Sequence, residues 1–156
     1  MNRLQMLLGT IGLFVGTMLY LIDRPSDKTY FVYNNNSISL YNTIPSPFSF
    51  IGNNFPTFIH VFSFILITAG FIPCHKRGYF MVCLFWFFVN SSFELGQKFK
   101  IISLKIIPDC FTGIPFLENT ENYFRLGTFD FIDLVSIVFG TVIAYFVLLA
   151  TSKGVT

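Results

Sequence analysis

Residues 129–151 read FDFIDLVSIVFGTVIAYFVLLAT, and no charged residue follows Asp133 within this stretch. The hydrocarbon core of a bilayer is about 30 Å thick, and a helix of roughly 17–25 residues is needed to cross it. The stretch therefore predicts a membrane-spanning helix. Its two carboxylates, Asp130 and Asp133, lie at the start of that helix, where the positive end of the helix dipole favours negative charge.

The whole chain has the composition of a membrane protein. Of its 156 residues, 53% are hydrophobic, 19% are aromatic and only 12% are charged. A soluble domain carries about 25% charged residues, so contact with lipid explains the apolar surplus better than an oversized soluble core does. The net charge of +2 is too small to indicate a nucleic-acid partner.

Three further segments are long and apolar enough to be membrane spans. The first follows Arg3 and lacks the small-x-small pattern of a signal-peptide cleavage site, so we interpret it as a retained span. We predict an all-α membrane protein, a single domain over residues 1–156 that forms a bundle of four transmembrane helices with two long outer loops. The predicted spans cover residues 4–22, 56–73, 79–95 and 129–151.

The connections between the predicted spans are unequal. Residues 74–78 predict a tight basic turn, whereas residues 23–55 and 96–128 predict two long loops on the opposite face of the membrane. Lys and Arg residues in short loops near the spans set the orientation of a membrane protein. Their density is higher on the face with the short turn and the chain ends, which predicts cytoplasmic N- and C-termini.

Part of the second long loop is unusually apolar. Residues 99–107 read FKIISLKII, which is too short to span a bilayer and too apolar to be solvated. We expect this segment to lie in the membrane interface or to cover the bundle. Its periodicity does not distinguish a helix from a strand.

Polar and ionisable side chains gather at the span ends that face the two long loops. Such groups are costly at membrane depth and tend to mark functional sites. Helical spacing places Thr57 and His60 on one stripe of the second span, and Glu94 and Gln97 on one stripe of the third. We predict that six side chains form one ligand-binding site: His60, Glu94, Gln97, Arg125, Asp130 and Asp133.

These residues also have a purely structural interpretation. Asp130 is a candidate N-cap of the fourth helix, with Asp133 as its capping-box partner. Glu94 can instead pair with Arg125 or Lys98 at the interface. The coincidence of several such residues at one membrane face favours a common site over these separate roles.

The sequence does not determine whether this site would catalyse a reaction. Two carboxylates with His60 permit a metal site, but no spacing such as HExxH supports a hydrolase, and His60 can equally bond a loop carbonyl. The three cysteines, at positions 74, 83 and 110, match neither a disulfide framework nor a zinc motif. We therefore predict no resident metal and no cofactor.

Four motifs together resemble the VanZ-like family of small bacterial integral membrane proteins. The resemblance covers nearly the whole chain in the family's order, although each motif is short. The motifs are Leu21-Ile-Asp-Arg-Pro25, Pro56-Thr-Phe-Ile-His60-Val-Phe-Ser-Phe, Phe93-Glu94-Leu-Gly-Gln97 and the segment from Arg125 to Gly140.

The resemblance implies a place for each polar residue. Members show a His opening one span, a Glu and a Gln closing the next, and an Arg and an Asp leading into the last, which often continues with Asn and Gly. Ile137 stands where that Asn is expected, and residues 98–124 form an unusually long insertion. By resemblance, those places belong to His60, Glu94, Gln97, Arg125, Asp133 and Gly140, with Asp130 as an additional carboxylate.

Two functions follow as expectations. The family is associated with the bacterial cell envelope, which implies the inner membrane, but its best-known resistance role does not transfer with a fold. The first function is a polar site at the outer leaflet that binds a lipid or a lipid-linked headgroup. The second is a structural or accessory subunit of a larger membrane complex, in which Gly12-x-x-x-Gly16 and Gly140-x-x-x-Ala144 allow close helix approach.

Overall fold

The computed structural model describes residues 1–23, 40, 55–72, 75–111, 114 and 117–152. Most of the first predicted long loop lies outside the described residues, as do Pro73 and Cys74. The described part contains helices and no strand, which confirms an all-α protein. Its six α-helices are α1 (Arg3–Asp23), α2 (Phe55–Phe71), α3 (Lys76–Lys98), α4 (Lys100–Ile106), α5 (Thr120–Leu126) and α6 (Phe131–Thr151).

Three of these helices, α1, α3 and α6, are long and apolar enough to cross a membrane. They support the prediction of a membrane protein with transmembrane helices. The second predicted span corresponds to α2, which is also apolar but only 17 residues long. The predicted boundaries of these four segments agree with the helices to within a few residues.

The central helix of the structure is α2. It packs against α1, α3 and α6, and it is the most buried of the long helices. Its side chains Val61, Ile65 and Leu66 are fully buried in the hydrophobic core. A helix that is apolar over most of its surface is expected at such a position, because it meets another helix on several of its sides.

Small residues allow α1 to approach α2 closely. A Cβ atom added to Gly9 would lie 2.7 Å from the Ile67 side chain and 2.9 Å from the Ser63 carbonyl oxygen. At Gly12 the same atom would lie 2.6 Å from the Ser63 hydroxyl. The Gly12-x-x-x-Gly16 motif therefore serves packing within the chain, as close backbone contact in membranes commonly requires.

The start of α1 and the end of α6 lie together at what we call the terminal end, and amide side chains join them. The Asn2 amide donates to the Thr151 carbonyl oxygen at 2.9 Å. The fully buried Gln5 amide donates to the Thr151 hydroxyl at 3.0 Å and lies 3.4 Å from both the Tyr79 hydroxyl and the Leu148 carbonyl oxygen. These bonds connect α1 to α3 and α6.

The prediction of a turn over residues 74–78 was wrong at its C-terminal part. His75 is the N-cap of α3, and the helix already begins at Lys76. Two cations in the first turn oppose the helix dipole, which is why a basic run does not suggest a helix start. Lys76 and Arg77 are exposed, so water screens this unfavourable interaction.

The second predicted long loop contains more regular structure than its sequence suggested. α4 and α5 lie within residues 96–128, together with two single 3₁₀ turns. α3 extends to Lys98, and Phe99 alone separates it from α4. The apolar segment 99–107, whose conformation the sequence left undecided, is therefore mostly helical.

We predict that Gly9→Leu weakens the α1–α2 contact, since its side chain would occupy the position of Ile67. The expected loss is about 1–3 kcal/mol in the free energy of unfolding. Denaturant titration of the detergent-solubilised protein measures this loss. Thr10→Leu places the same side chain at the exposed neighbouring position and is expected to leave stability nearly unchanged; equal effects of both variants would contradict the packing model.

Candidate functional site

The start of α6 and the end of α3 meet in a network of hydrogen bonds. Glu94, which is only 5% exposed, accepts a hydrogen bond at Oε1 from the Asp130 backbone N–H at 3.0 Å. The Asp130 side chain is the N-cap of α6 and accepts from the Ile132 N–H at 2.9 Å. The prediction of an N-cap at Asp130 is confirmed, and Glu94 bonds the N-cap N–H from another helix.

A second carboxylate connects α6 to α2. The Thr57 hydroxyl donates to Asp133 Oδ1 at 2.9 Å. Asp133 lies in the first turn of α6, where the helix dipole stabilises its negative charge. Because Glu94 also reaches α6 from α3, three helices converge where these residues lie. We call this end of the bundle, formed by Thr57, Glu94, Asp130 and Asp133, the acidic end.

Gln97 extends the acidic end by one turn of α3. Its side chain is 7% exposed and packs against Gly127, just before α6. A Cβ atom at Gly127 would lie 2.7 Å from both Cδ and Oε1 of Gln97. Gly127 is therefore a positioning residue that sequence reasoning missed, although its place between Arg125 and Asp130 was a usable signal.

Arg125 is not buried with the carboxylates. Its side chain is 64% exposed on α5 and forms an ion pair with Glu121, one helical turn earlier. Its carbonyl oxygen accepts from Lys100 Nζ at 3.3 Å, while Lys98 Nζ lies 5.2 Å from the centre of the Phe129 ring. The ion pair described for Arg125 is with Glu121 rather than with Glu94.

His60 lies on the side of α2 that faces α1 and α3. Its ring stacks on Tyr20, with 5.4 Å between ring centres, and on Phe64 at 6.0 Å. Phe64 in turn stacks on Trp86 at 4.8 Å, and the Trp86 indole N–H donates to the Thr68 hydroxyl at 2.9 Å. His60 therefore belongs to an aromatic stack that links α1, α2 and α3.

Asp23 is a further carboxylate of interest. It is the last residue of α1, at the same end of the bundle as Thr57. Both of its carboxylate oxygens are buried and have no hydrogen-bond partner within the described part of the chain. The sequence carried a signal for it, because Asp23 stands inside the Leu21-Ile-Asp-Arg-Pro25 motif.

The acidic end has the chemistry of a site for hydrogen-bond donors. Carboxylate oxygens accept hydrogen bonds from hydroxyl and ammonium groups, and Gln97 offers both an acceptor and donors. Among the described residues, no three His, Cys, Asp or Glu side chains lie close enough to hold a metal ion. The arrangement is suited to recognition of a polar, hydroxyl-bearing or amine-bearing group.

Comparison with family models, with curated proteins and with solved structures finds no match to this chain. The resemblance to the VanZ-like family accordingly stays a prediction that rests on the motifs themselves.

We predict that Glu94→Ala destabilises the protein because the Asp130 N–H loses the acceptor that Glu94 provides. A buried donor without a partner costs about 1–3 kcal/mol. Glu94→Gln keeps an amide oxygen at the same place and is expected to lose less. Unfolding titrations of both variants, with the exposed Glu121→Ala as a control, measure the difference; equal losses for Ala and Gln at position 94 would contradict the bond.

Proposed function

We propose that this chain is a multi-pass protein of the bacterial cell envelope whose acidic end binds a lipid or a lipid-linked headgroup. The observation that carries the proposal is the burial of Glu94 and Gln97, at 5% and 7% exposure, beside the start of α6. Ionisable groups held inside the ends of membrane helices are expensive and tend to be functional. A headgroup is the polar ligand that meets a membrane protein at this depth.

The proposal includes four spans in the inner membrane with both chain ends in the cytoplasm. The 17 residues of α2 rise about 26 Å, which is close to the thickness of a bilayer core. A local thinning of the bilayer would accommodate the difference at modest cost. In support of an even number of crossings, the Asn2 side chain bonds Thr151, so the start of α1 and the end of α6 lie together.

The carboxylates of the acidic end and the exposed Arg125 of α5 together match the two parts of a phospholipid headgroup. Glu94 and Asp133 offer carboxylates to hydroxyl or amine groups, and Arg125, which lies outside the acidic end, offers a guanidinium to a phosphate. An exposed ion pair such as Arg125–Glu121 contributes only about 0–1 kcal/mol. Arg125 is therefore able to exchange Glu121 for a phosphate oxygen at little cost.

His60 has a separate place in the proposal. Its stacking on Tyr20 and Phe64 fixes its ring near the start of α2. Imidazole is the side chain that exchanges protons most readily near neutral pH. We assign it to headgroup contact, and we assign no reaction. The VanZ-like resemblance, which rests on His60, Glu94, Gln97 and Arg125, belongs to this same proposal.

An accessory subunit of a larger complex is the competing function. The glycine motifs that suggested it are occupied within the chain, because Gly12 faces Ser63 and Gly140 lies against the Phe58 carbonyl oxygen. Gentle purification through a tag on this chain distinguishes the two functions. Recovery of other proteins at fixed stoichiometry, without bound lipid, would favour the accessory function.

We predict that the purified protein retains a specific lipid and that Asp133→Asn and Glu94→Gln reduce this retention at least about tenfold. A hydrogen bond to a charged group contributes about 1.5–3 kcal/mol, which corresponds to a factor of this size or larger. Mass spectrometry of extracted lipid, normalised to protein, measures the change. Asp109→Asn, at an exposed position outside the acidic end, is the matched control, and undiminished retention in both test variants would rule out the site.

We also predict that the acidic end faces away from the cytoplasm. Cys110 is exposed in the segment between α4 and α5, whereas Ser152 follows α6 at the terminal end. In cells with a permeabilised outer membrane, an impermeant maleimide is expected to label a variant that keeps Cys110 alone. A cysteine-free protein carrying Ser152→Cys should be labelled only after lysis, and the reverse pattern would overturn the orientation.

A further inference from the structure

One face of α4 is fixed to the rest of the protein. The Ser103 hydroxyl donates to the Gly96 carbonyl oxygen at 2.9 Å, and Lys100 Nζ donates to the Arg125 carbonyl oxygen. Gly96 itself contacts Phe124 of α5, since a Cβ atom there would lie 2.5 Å from the Phe124 ring. These contacts determine which face of α4 points outward.

The outward face of α4 is apolar and uncovered. Ile101 is 74% exposed, Ile102 58% and Ile106 69%, and Lys105 lies among them. Helical spacing puts these four residues on one side of α4, opposite Ser103 and Lys100. Three neighbouring exposed isoleucines on so short a helix are unfavourable in water, because hydrating apolar side chains costs free energy.

The position of α4 identifies what covers this face. α4 begins one residue beyond the end of α3, a helix long and apolar enough to cross a membrane. The end of such a helix lies at the level of the lipid headgroups. α3 itself exposes large aromatic side chains, among them Phe85 and Phe88, so α4 directly follows a helix with an uncovered apolar surface.

The charge of the segment also selects its partner. Lys98, Lys100 and Lys105 are the charged residues between positions 95 and 108, so this part of the chain contains cations and no carboxylate. Basic residues beside an apolar helix face attract anionic headgroups. Lys105 stands on the same side as the isoleucines, where it can reach a phosphate while they enter the acyl region.

We propose that α4 lies in the bilayer interface with Ile101, Ile102 and Ile106 inserted, and that Lys105 gives this contact a preference for anionic lipids. The contact is distinct from headgroup binding at the acidic end and does not depend on it. Through the bond from Lys100 to the Arg125 carbonyl oxygen, it also fixes the height of α5 relative to the membrane.

A fluorescence experiment on the full chain in nanodiscs tests the proposal. An environment-sensitive NBD probe is attached at Ile102→Cys in a background with Cys74→Ser, Cys83→Ala and Cys110→Ser. The matched control carries the same probe at Glu121→Cys, an exposed position on α5. The Ile102 probe is expected to emit at shorter wavelength than the control and to be quenched by nitroxide-labelled acyl chains.

The charge preference is tested by replacing half of the zwitterionic lipid with phosphatidylglycerol. Anionic lipid should increase acyl-chain quenching at position 102, and Lys105→Gln should reduce this preference about fivefold, as expected for one basic residue near a charged surface. High salt should have the same effect, because it screens surface charge.

Three results would overturn the proposal. Equal access of aqueous iodide to positions 102 and 121 would show that α4 is solvated. Acyl-chain quenching that changes with neither the phosphatidylglycerol content nor the salt concentration would contradict the preference for anionic lipids. A probe that is accessible in nanodiscs but protected in native membranes would show that a protein covers this face instead.

Discussion

Hydrocarbon forms no hydrogen bonds, so polar groups in the membrane-spanning helices of this chain are most stable where the protein itself supplies a partner. This constraint explains why polar side chains collect at the two ends of the bundle. At the terminal end, Gln5 binds Thr151 from a fully buried position. At the acidic end, Glu94 and Asp133 bind groups of other helices. The apolar middle of the structure, between these two ends, is stabilised by close packing of side chains.

The central position of α2 relates these two ends. Its Thr57 bonds α6, and its Ser63 backbone and Ile67 accommodate the glycines of α1. Its Thr68 accepts from the only tryptophan, on α3. Because α2 is buried against all three other long helices, protein takes the place of lipid around it. Such a helix needs neither many polar side chains nor great length. α2, the shortest of the four long helices, is therefore the one whose side chains are most buried.

Hydrophobic patterning alone predicted the four long helices, α1, α2, α3 and α6, because long apolar segments have few other stable structures in a membrane. It also placed Glu94, Asp130 and Asp133 at one end, which follows from the alternating direction of successive spans. It could not place Arg125, since the direction of an exposed side chain depends on the short helix α5 and its local partner Glu121. Gln5 was missed because one amide in an apolar segment scarcely changes its hydrophobicity.

The aromatic stack has a spectroscopic consequence. Trp86 is the only indole in the chain, and it lies between Phe64 and the Thr68 hydroxyl, where α2 and α3 meet. Intrinsic emission excited at long wavelength therefore comes from a single, partly enclosed site. Within the stack, only the Phe64 ring lies between Trp86 and His60. Without any added label, the native fluorescence of this protein reports on the contact between α2 and α3 within the aromatic stack.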